Sequence, residues 1–573
     1  MNNFRISLAQ INTTVGDLDL NTEKIISNIE LAKSQDSDLV IFPELSITGY
    51  PPEDLLLKPQ FIQDNIIQLE KIIPVTEKIS AIIGFVDAKS DIFNSAALIS
   101  NKKLEGVHHK ALLPNYGVFD ELRYFKPGEN PTIFNINGIF IGINICEDIW
   151  HNNGPFVKQR EMGAQIIINI NASPFEIGKR KIRESMLIDR AQSNNLYIAY
   201  INLVGGQDEL IFDGYSTVLN PKGDIIAQAK SFQEDLITID LDILTNKYIN
   251  KPTIVSNNYI PNNNKVSKVN KNNIDNLLDT NEIKDLYQAL IMGTKDYVEK
   301  CNFDSVIIAM SGGIDSSLVS TIATDALGKD NVYGISMPSR FNSKTTINDT
   351  KELAINLGIK LHTIPIEEIF NHYEKILKND VPNWESNLVA ENIQARIRAN
   401  IIMALSNQEN LLILATGNKS EIATGYTTIY GDMVGGFSII KDVYKTNVYK
   451  LANYRNSLSK KNIIPQSIIQ RPPSAELRPN QTDQDSLPEY IELDSILNLY
   501  IENDNNVNEI INKGHDKNTV KDIIKLVDKN EYKRRQSAPG IKVTSKNFGR
   551  DRRMPIANNY TKFIFNNIHK GNK

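Results

Sequence analysis

The sequence predicts an α/β protein made of two units joined by an exposed linker, and three observations predict it. The chain has 573 residues, more than one ordinary core organises. Short β-branched runs alternate with helical patterns over residues 1–250 and again over residues 276–573. Between them, residues 251–275 ("KPTIVSNNYIPNNNKVSKVNKNNID") are rich in Asn and Lys, show no period and read as a linker.

In chain order, the first unit offers strands at "FRISLAQI", "DLVIFPE", "SAIIGFVD", "SAALIS", "GIFIGINIC", "QIIINI", "LYIAYINLV" and "GYSTVLN". Helical patterns fall at "NTEKIISNIELAKSQ" and "KRKIRESMLIDRAQSNN". In the second unit, helix "NEIKDLYQALIMGTKDYVEKC" precedes strand "SVIIAM", a glycine turn and another helix. "NVYGISMP", "KLHTIPI" and "NLLILATGN" continue the strand series, which suggests a parallel sheet of Rossmann type. From residue 481 onward the chain reads as helical and polar and ends in the basic segment "EYKRRQSAPGIKVTSKNFGRDRR".

Composition narrows the partners. Hydrophobic residues make up 41% and charged residues 23%, with 63 Lys plus Arg against 68 Asp plus Glu, a net charge of −5. That balance argues against nucleic acid as the main partner and leaves small-molecule substrates. The start "MNNFRISLAQINTTVG" lacks the apolar core of a signal peptide. No apolar run approaches the roughly 20 residues that span a bilayer, so no membrane partner is expected. The two cysteines, Cys146 and Cys301, lie far apart, which disfavours a disulfide framework and points to a cytoplasmic setting.

The turn "AMSGGIDSSLV" follows an apolar strand and opens a helix. Unpaired backbone N–H groups at a helix N-terminus suit anionic oxygen, and the glycines permit close approach. Ser311, Ser316 and Ser317 add hydroxyl donors. Asp315 repels phosphate, so its presence makes sense if it holds a magnesium ion between phosphates. The familiar phosphate loop carries a lysine after its glycines, and none stands here. Cleavage between the α and β phosphates is then favoured over transfer of the terminal phosphoryl group. The plainer alternative is a strand-to-helix turn with Gly for shape and Ser as its cap. The complete pattern resembles the pyrophosphate loop of ATP pyrophosphatases that activate a carboxylate or carbonyl as an adenylate. The resemblance implies a Rossmann-like adenine-nucleotide-hydrolase domain in which Ser311, Gly312, Gly313, Ile314, Asp315 and Ser316 bind ATP.

In the first unit, Glu44 ends the apolar run "DLVIFPE", Lys110 sits in "VHHKALLPNYGVFDELRYF", and Cys146 follows the alternation Ile139, Ile141, Ile143, Ile145. A cysteine at the end of a buried strand can project from the sheet edge, within reach of a carboxylate base and an ammonium. Each residue alone reads more plainly as a small core residue, a strand-end cap and a solvated lysine. The blocks "FPELSITGY", "HHKALLPNYGVFDELRYF" and "INICEDIW" resemble the signature blocks of the nitrilase amidohydrolases, over roughly residues 4 to 245. That resemblance implies an αββα sandwich and a catalytic triad of Glu44, Lys110 and Cys146, with Glu121 positioning the substrate or the triad. A dyad of Cys146 with His151 is a minor reading. "GQDELIFDGYS" and "NASPFEIGKRKIRE" resemble glutaminase versions of the domain. There Tyr116, Ser173 and Lys179 would line the glutamine pocket, with Glu147 near the α-amine; Lys179 reads equally as a surface lysine of "KRKIR".

Together the two halves resemble the glutamine-dependent NAD synthetases over almost the whole chain. "LLILATGNKSEIATGYTTIYGDMVGGFSIIKDVYKT", "RPPSAELRPNQTDQDSLPEY" and "EYKRRQSAPGIKVTSKNFGRDRRMPI" carry the second half of that resemblance. It implies that Thr416 contacts ATP, that Asn392, Glu421 and Lys533 contact deamido-NAD, and that Lys441 and Lys445 fall near the phosphates. Asp315 and Glu421 form a sensible magnesium pair, with Asp432 as the alternative to Glu421. The reaction implied is amidation of deamido-NAD to NAD through an acyl adenylate, with ATP as co-substrate, Mg2+ as cofactor and ammonia drawn from glutamine. A sheltered ammonia route and homo-oligomeric assembly belong to the same expectation. The rival readings are an amidotransferase that adenylates another carboxylate or carbonyl, and a nucleotide-binding scaffold with a dead amidase. All triad and loop residues are present, which opposes the scaffold.

Overall fold

The computed structural model describes residues 4–88, 91–243, 255–256, 278–384 and 388–560. The chain divides into two compact units, Met1–Ile274 and Asp275–Lys573, and the division falls inside the segment read as a linker. Most of that segment lies outside the described residues, but Val255–Ser256 forms a short strand antiparallel to Thr132–Ile136 of the first unit.

The first unit contains two large sheets. A six-stranded sheet runs in the order Asp235–Leu241, Phe4–Gln10, Leu39–Ile41, Ser80–Ala88, Ile92–Ser100, Lys103–His109. A seven-stranded sheet runs Ile225–Gln228, Thr217–Leu219, Tyr197–Asn202, Ile166–Asn171, Ile139–Ile145, Thr132–Ile136, Val255–Ser256. Strand periodicity assigns the faces. Leu39 and Ile41 join Ile139, Ile141, Ile143, Ile166 and Ile168 in one core between the sheets. Val40, on the opposite face, packs with Ile25, Ile29 and Leu69 of helices Leu18–Ser34 and Pro59–Ile72. Ile167 likewise faces outward, onto Leu187 and Ala191 of helix Lys179–Asn194. Helix, sheet, sheet, helix is the αββα sandwich that the nitrilase resemblance implies.

The strand Lys103–His109, which carries the chain to Lys110, escapes the sequence pattern because most of its residues are partly exposed and lack alternation. Asp235–Leu241 is also absent from the sequence reading although Ile237, Ile239 and Leu241 alternate with Thr238 and Asp240; its antiparallel pairing with Phe4–Gln10 joins residues more than 200 positions apart.

The second unit holds a five-stranded sheet in the order Lys360–Thr363, Val332–Ser336, Val306–Ala309, Leu412–Ala415, Phe437–Ser438. Every neighbouring pair is parallel. The strand order reverses around the first strand, Val306–Ala309, so the crevice beyond its carboxyl end is where such sheets bind ligands. The polar carboxy-terminal region proves to carry a core of its own. In helix Lys517–Lys529, Val520, Ile523, Ile524 and Val527 are spaced as one helical stripe and pack on Leu493, Ile496, Leu497 and Ile510. Polar composition hides that stripe because the apolar residues are few but share one face. No helix among the described residues is long and apolar enough to cross a membrane.

Two candidate active sites

In the first unit, Glu44 leaves the strand Leu39–Ile41 by a turn that passes directly over Gly84. A Cβ on Gly84 would lie 2.3 Å from Pro43 O and 2.4 Å from Leu45 N, so a glycine there is what lets the turn approach. Glu44 is fully buried and accepts hydrogen bonds from Asn94 Nδ2 at 2.7 Å, Lys110 Nζ at 2.7 Å and the Ala172 backbone N–H at 2.8 Å. Lys110, equally buried, also donates to Glu121 Oε1 at 2.8 Å. The same Glu121 oxygen accepts from Tyr50 OH at 2.8 Å, while Oε2 has no hydrogen-bond partner. Cys146 begins the turn after the strand Ile139–Ile145 at a φ of +43°, a left-handed conformation that non-glycine residues adopt at a cost. The alternation of isoleucines places its strand, and the turn lifts it off the end of the sheet.

Electrostatics link these groups. Burial works against the Lys110 ammonium, yet the carboxylates of Glu121 and Glu44 outweigh it and hold its pKa well above the ordinary value. Burial pushes the Cys146 thiol well up and the charge of Glu44 adds to this, while Lys110 opposes. Burial also raises Glu121 to about 7, with Glu44 adding and Lys110 opposing. Two carboxylates around one ammonium leave a surplus of negative charge, and Glu121 bears its consequence. A thiol in this setting transfers its proton to a neighbouring base as it attacks, rather than resting as a free thiolate.

The predicted glutamine-binding residues come to the same region. Ser173 follows Ala172, the donor to Glu44, and its N–H donates to Asn202 Oδ1 at 2.8 Å. Lys179 Nζ donates to Pro174 O at 3.0 Å. The Tyr116 hydroxyl donates to Glu147 Oε2 at 2.9 Å, and His151 Nε2 lies 3.3 Å from Glu147 Oε1. His151 is thus a partner of Glu147, the residue after the cysteine. Sequence reasoning leaves unassigned Asn94, Tyr50 and Asp148; the last stands inside the block "INICEDIW", which is the one signal that points to it.

In the second unit, the strand Val306–Ala309 gives way to Gly312 at a φ of +82°, and Gly313 starts helix Ile314–Leu327. A Cβ on Gly312 would meet Thr346 O at 2.6 Å and Thr350 Oγ1 at 2.8 Å, so glycine is required on both counts. Hydroxyls tie the turn together: Ser311 Oγ accepts from the Gly313 N–H at 3.2 Å, and Ser317 Oγ donates to Gly313 O at 2.8 Å. The turn borders a cavity of about 280 Å³. Ser311, Gly313, Ile314, Asp315 and Ser316 line it, and so do Thr416 and Glu421.

Lys445 joins the two predicted acids. Its Nζ donates to Asp315 Oδ2 at 2.5 Å and to Glu421 Oε1 at 3.0 Å, and Asn418 Nδ2 donates to the other Asp315 oxygen at 2.9 Å. Burial opposes the Lys445 charge, but Asp315 and Glu421 outweigh it and raise its pKa. Burial pushes Glu421 up to about 8, with Lys445 opposing and Asp315 adding. Asp432, also on the cavity wall, is pushed up to about 6 by burial, against the hydrogen bond it accepts from the Thr428 N–H at 2.7 Å. Among the described residues, no group of three or more His, Cys, Asp or Glu side chains is arranged to hold a metal ion.

Asn392 and Lys533 are not on the cavity wall. Lys533 Nζ donates to Gly425 O at 2.7 Å and Thr427 O at 2.8 Å, and Asn392 Oδ1 accepts from Thr428 Oγ1 at 2.8 Å. Both therefore brace the 425–432 segment, which itself contributes Tyr426, Thr427, Gly431 and Asp432 to the wall. Lys441 Nζ donates to Ala538 O at 2.6 Å. Sequence reasoning leaves unassigned Arg398 and Asp483, which also line the cavity.

Comparison with known proteins adds a second line of support. Residues 5–247 match the carbon-nitrogen hydrolase family and residues 286–537 match the NAD synthase family. A glutamine-dependent NAD(+) synthetase of Thermotoga maritima is 45% identical, over 98% of this chain and 99% of its own. That of Aquifex aeolicus is 46% identical, over 98% of this chain and 100% of its own. Among solved structures, glutamine-dependent NAD+ synthetase from Acinetobacter baumannii in complex with ADP is 41% identical with a TM-score of 0.73, covering 97% of this chain and 99% of that one. A glutamine-dependent NAD(+) synthetase from Cytophaga hutchinsonii, 23% identical, shares the fold with a TM-score of 0.82 over 99% of this chain and 100% of its own.

Proposed function

The chain belongs to the glutamine-dependent NAD(+) synthetases, ATP-dependent ligases with glutamine as amide donor, and from that premise we propose which residues carry each half of the reaction. In the first unit, the Cys146 sulfur attacks the side-chain amide carbonyl of glutamine while Glu44 takes the thiol proton. The oxyanion that forms is offset by the Lys110 ammonium. Glu44 returns the proton to the departing nitrogen, and ammonia leaves a thioester on Cys146. Water, its proton taken by Glu44, then hydrolyses the thioester to glutamate and restores the thiol. What supports these roles is that Lys110 Nζ holds Glu44 at 2.7 Å while the other Glu44 oxygen is fastened to the Ala172 N–H. The base is thereby oriented without losing its place beside the ammonium. Tyr116, Ser173 and Lys179 hold glutamine, with Lys179 suited to its α-carboxylate and Glu147 to its α-amine.

In the second unit, the helix N-terminus at Gly313 receives the ATP phosphates, with Ser311, Gly312, Ile314, Asp315, Ser316 and Thr416 around them. The nicotinate carboxylate of deamido-NAD attacks the α phosphorus, pyrophosphate departs, and the carboxylate becomes an acyl adenylate. Ammonia adds to that carbonyl, AMP leaves with the C–O electron pair, and the amide of NAD remains. Lys445, on the cavity wall, neutralises phosphate charge. Asn392 and Lys533 fix the dinucleotide side by bracing the 425–432 segment, and Glu421 faces the same substrate.

Magnesium fits this donor set. Asp315 and Glu421 direct hard carboxylate oxygens at a single cation, the Lys445 ammonium, and Mg2+ characteristically takes one or two carboxylates and completes its shell with phosphates and water. Asp315 and Glu421 would hold it, and it would neutralise charge as the α–β phosphate bond breaks. The reading includes a cytoplasmic setting and homo-oligomeric assembly; analytical ultracentrifugation tests the latter.

The observation that carries the proposal is the convergence of Asp315, Glu421 and Lys445 on the cavity that the Gly312 turn borders. Incubation with ATP, deamido-NAD and amide-15N glutamine tests it. The label is expected in the carboxamide of NAD, with AMP and pyrophosphate as co-products. Formation of ADP in place of AMP would overturn the adenylate.

A further inference from the structure

Asp148 lies two residues beyond Cys146 and is fully buried. Its Oδ1 accepts hydrogen bonds from the backbone N–H groups of Ala111 at 3.1 Å and Leu112 at 2.9 Å. Its Oδ2 accepts from the Ile145 N–H at 2.9 Å. Ala111 and Leu112 directly follow Lys110, in a stretch that leaves the strand Lys103–His109 without regular structure. Ile145 directly precedes Cys146. Backbone donors in such an irregular buried stretch need an acceptor, and a single carboxylate supplies it for two segments at once.

We propose that Asp148 is a positioning residue of the amide-hydrolysing site: it fastens the turn that carries Cys146 to the loop that carries Lys110, and so sets where the thiol meets its base and its cation. Two further features agree. Cys146 is held at a φ of +43°, a conformation that persists only where the surroundings over-determine it. All three hydrogen bonds that Asp148 accepts come from backbone N–H groups, so it orients main chain rather than a substrate. His108, also buried beside this carboxylate, has Nε2 3.8 Å from Asp148 Oδ2, beyond hydrogen-bond length. Neither ring nitrogen of His108 has a hydrogen-bond partner, so the backbone donors are what engage Asp148.

The inference rests on Cys146 as nucleophile, and the test separates the two. In the full chain, Asp148→Asn keeps the side-chain volume but sets an amide donor where the Ile145 N–H or the loop N–H groups need an acceptor. The turnover number for glutamine hydrolysis is expected to fall about 100-fold while KM stays within about threefold, as for a displaced catalytic group. Alkylation of Cys146 by iodoacetamide is followed on its own peptide, because Cys301 is exposed. In the variant it is expected to lose its neutral-pH reactivity and to rise only toward alkaline pH, as for a buried thiol parted from its base. Asp148→Glu retains the carboxylate with a longer reach and is expected to recover part of both. Circular dichroism establishes that each variant is folded, and if Asp148→Asn is not, Asp148→Glu bears the same test with about a tenfold loss of turnover. An alkylation profile that superimposes on the parent's overturns the positioning role, as does a loss confined to KM. Glutamine hydrolysis that survives in Cys146→Ala overturns the nucleophile itself. Its loss there beside unaltered kinetics in Asp148→Asn overturns only the role of Asp148.

Discussion

Lys110 donates to Glu44 at 2.7 Å with both side chains wholly removed from solvent. Such a pair is expensive to break from one side, because the partner left behind keeps the desolvation penalty without the compensating charge. Lys110→Met leaves Glu44 and Glu121 facing each other without a cation. Glutamine hydrolysis is expected to vanish and the first unit to lose about 3–5 kcal/mol. Differential scanning calorimetry beside a glutaminase assay reads both.

Cys146→Ala removes the proposed nucleophile and leaves the sequence of the second unit unchanged. Glutamine-dependent NAD formation is expected to disappear, and ammonium-supported formation to persist within about twofold, since only the source of ammonia is removed. Loss of both would make Cys146 structural.

Glu121 gives a pH signature. Its ordinary value is 4.5 and burial raises it to about 7 in the folded chain. Between those values the folded state keeps a proton that the unfolded state has released, so stability falls as pH rises through that window and levels off above it. Relative to Glu121→Gln, the parent is expected to lose stability between pH 4.5 and 7. Unfolding midpoints of the two proteins across that range give the difference, and parallel curves would refute it.

Gly312→Ala places a Cβ against Thr346 and Thr350 at a φ of +82°. The left-handed backbone alone costs about 1–2 kcal/mol, and the clash with backbone adds to it. NAD formation is expected to fall by at least about 100-fold with either nitrogen source, since the turn proposed to hold the phosphates must move. Release of AMP, measured with glutamine and with ammonium, decides the point.

Asp315→Asn tests the metal pair. Chelation of magnesium by EDTA is expected to stop NAD formation in the parent while glutamine hydrolysis continues. In Asp315→Asn the Mg2+ concentration for half-maximal rate is expected to rise at least about tenfold, because one of the two proposed carboxylate ligands is lost. An unchanged magnesium requirement would place the metal elsewhere.

Much of the fold was legible because its signals are local. The isoleucines of 139–145 alternate faces, and Ser-Gly-Gly-x-Asp-Ser-Ser after an apolar strand announces a helix N-terminus open to anions. Other features carry no local trace. Lys445 lies 130 residues from Asp315, and nothing near either announces the ion pair. Asn392 and Lys533 carry motif-level signals, but only the folded chain reveals that they brace a cavity wall instead of forming it. Lys103–His109 lacks the alternation that marks a strand buried on one face, whereas Asp235–Leu241 carries it in Ile237, Ile239 and Leu241, and the sequence reading passes over it.

By itself the sequence determined the class of each unit and the kinds of reactive group in it, since hydrophobic period, glycine placement and side-chain chemistry act over a few residues. Only the tertiary structure decided which carboxylates share Lys110, which acids share Lys445, and that Asp148 reaches both segments of the amide site. Electrostatic pairing depends on distance and on the exclusion of water, and both arise when remote stretches of chain are packed against one another.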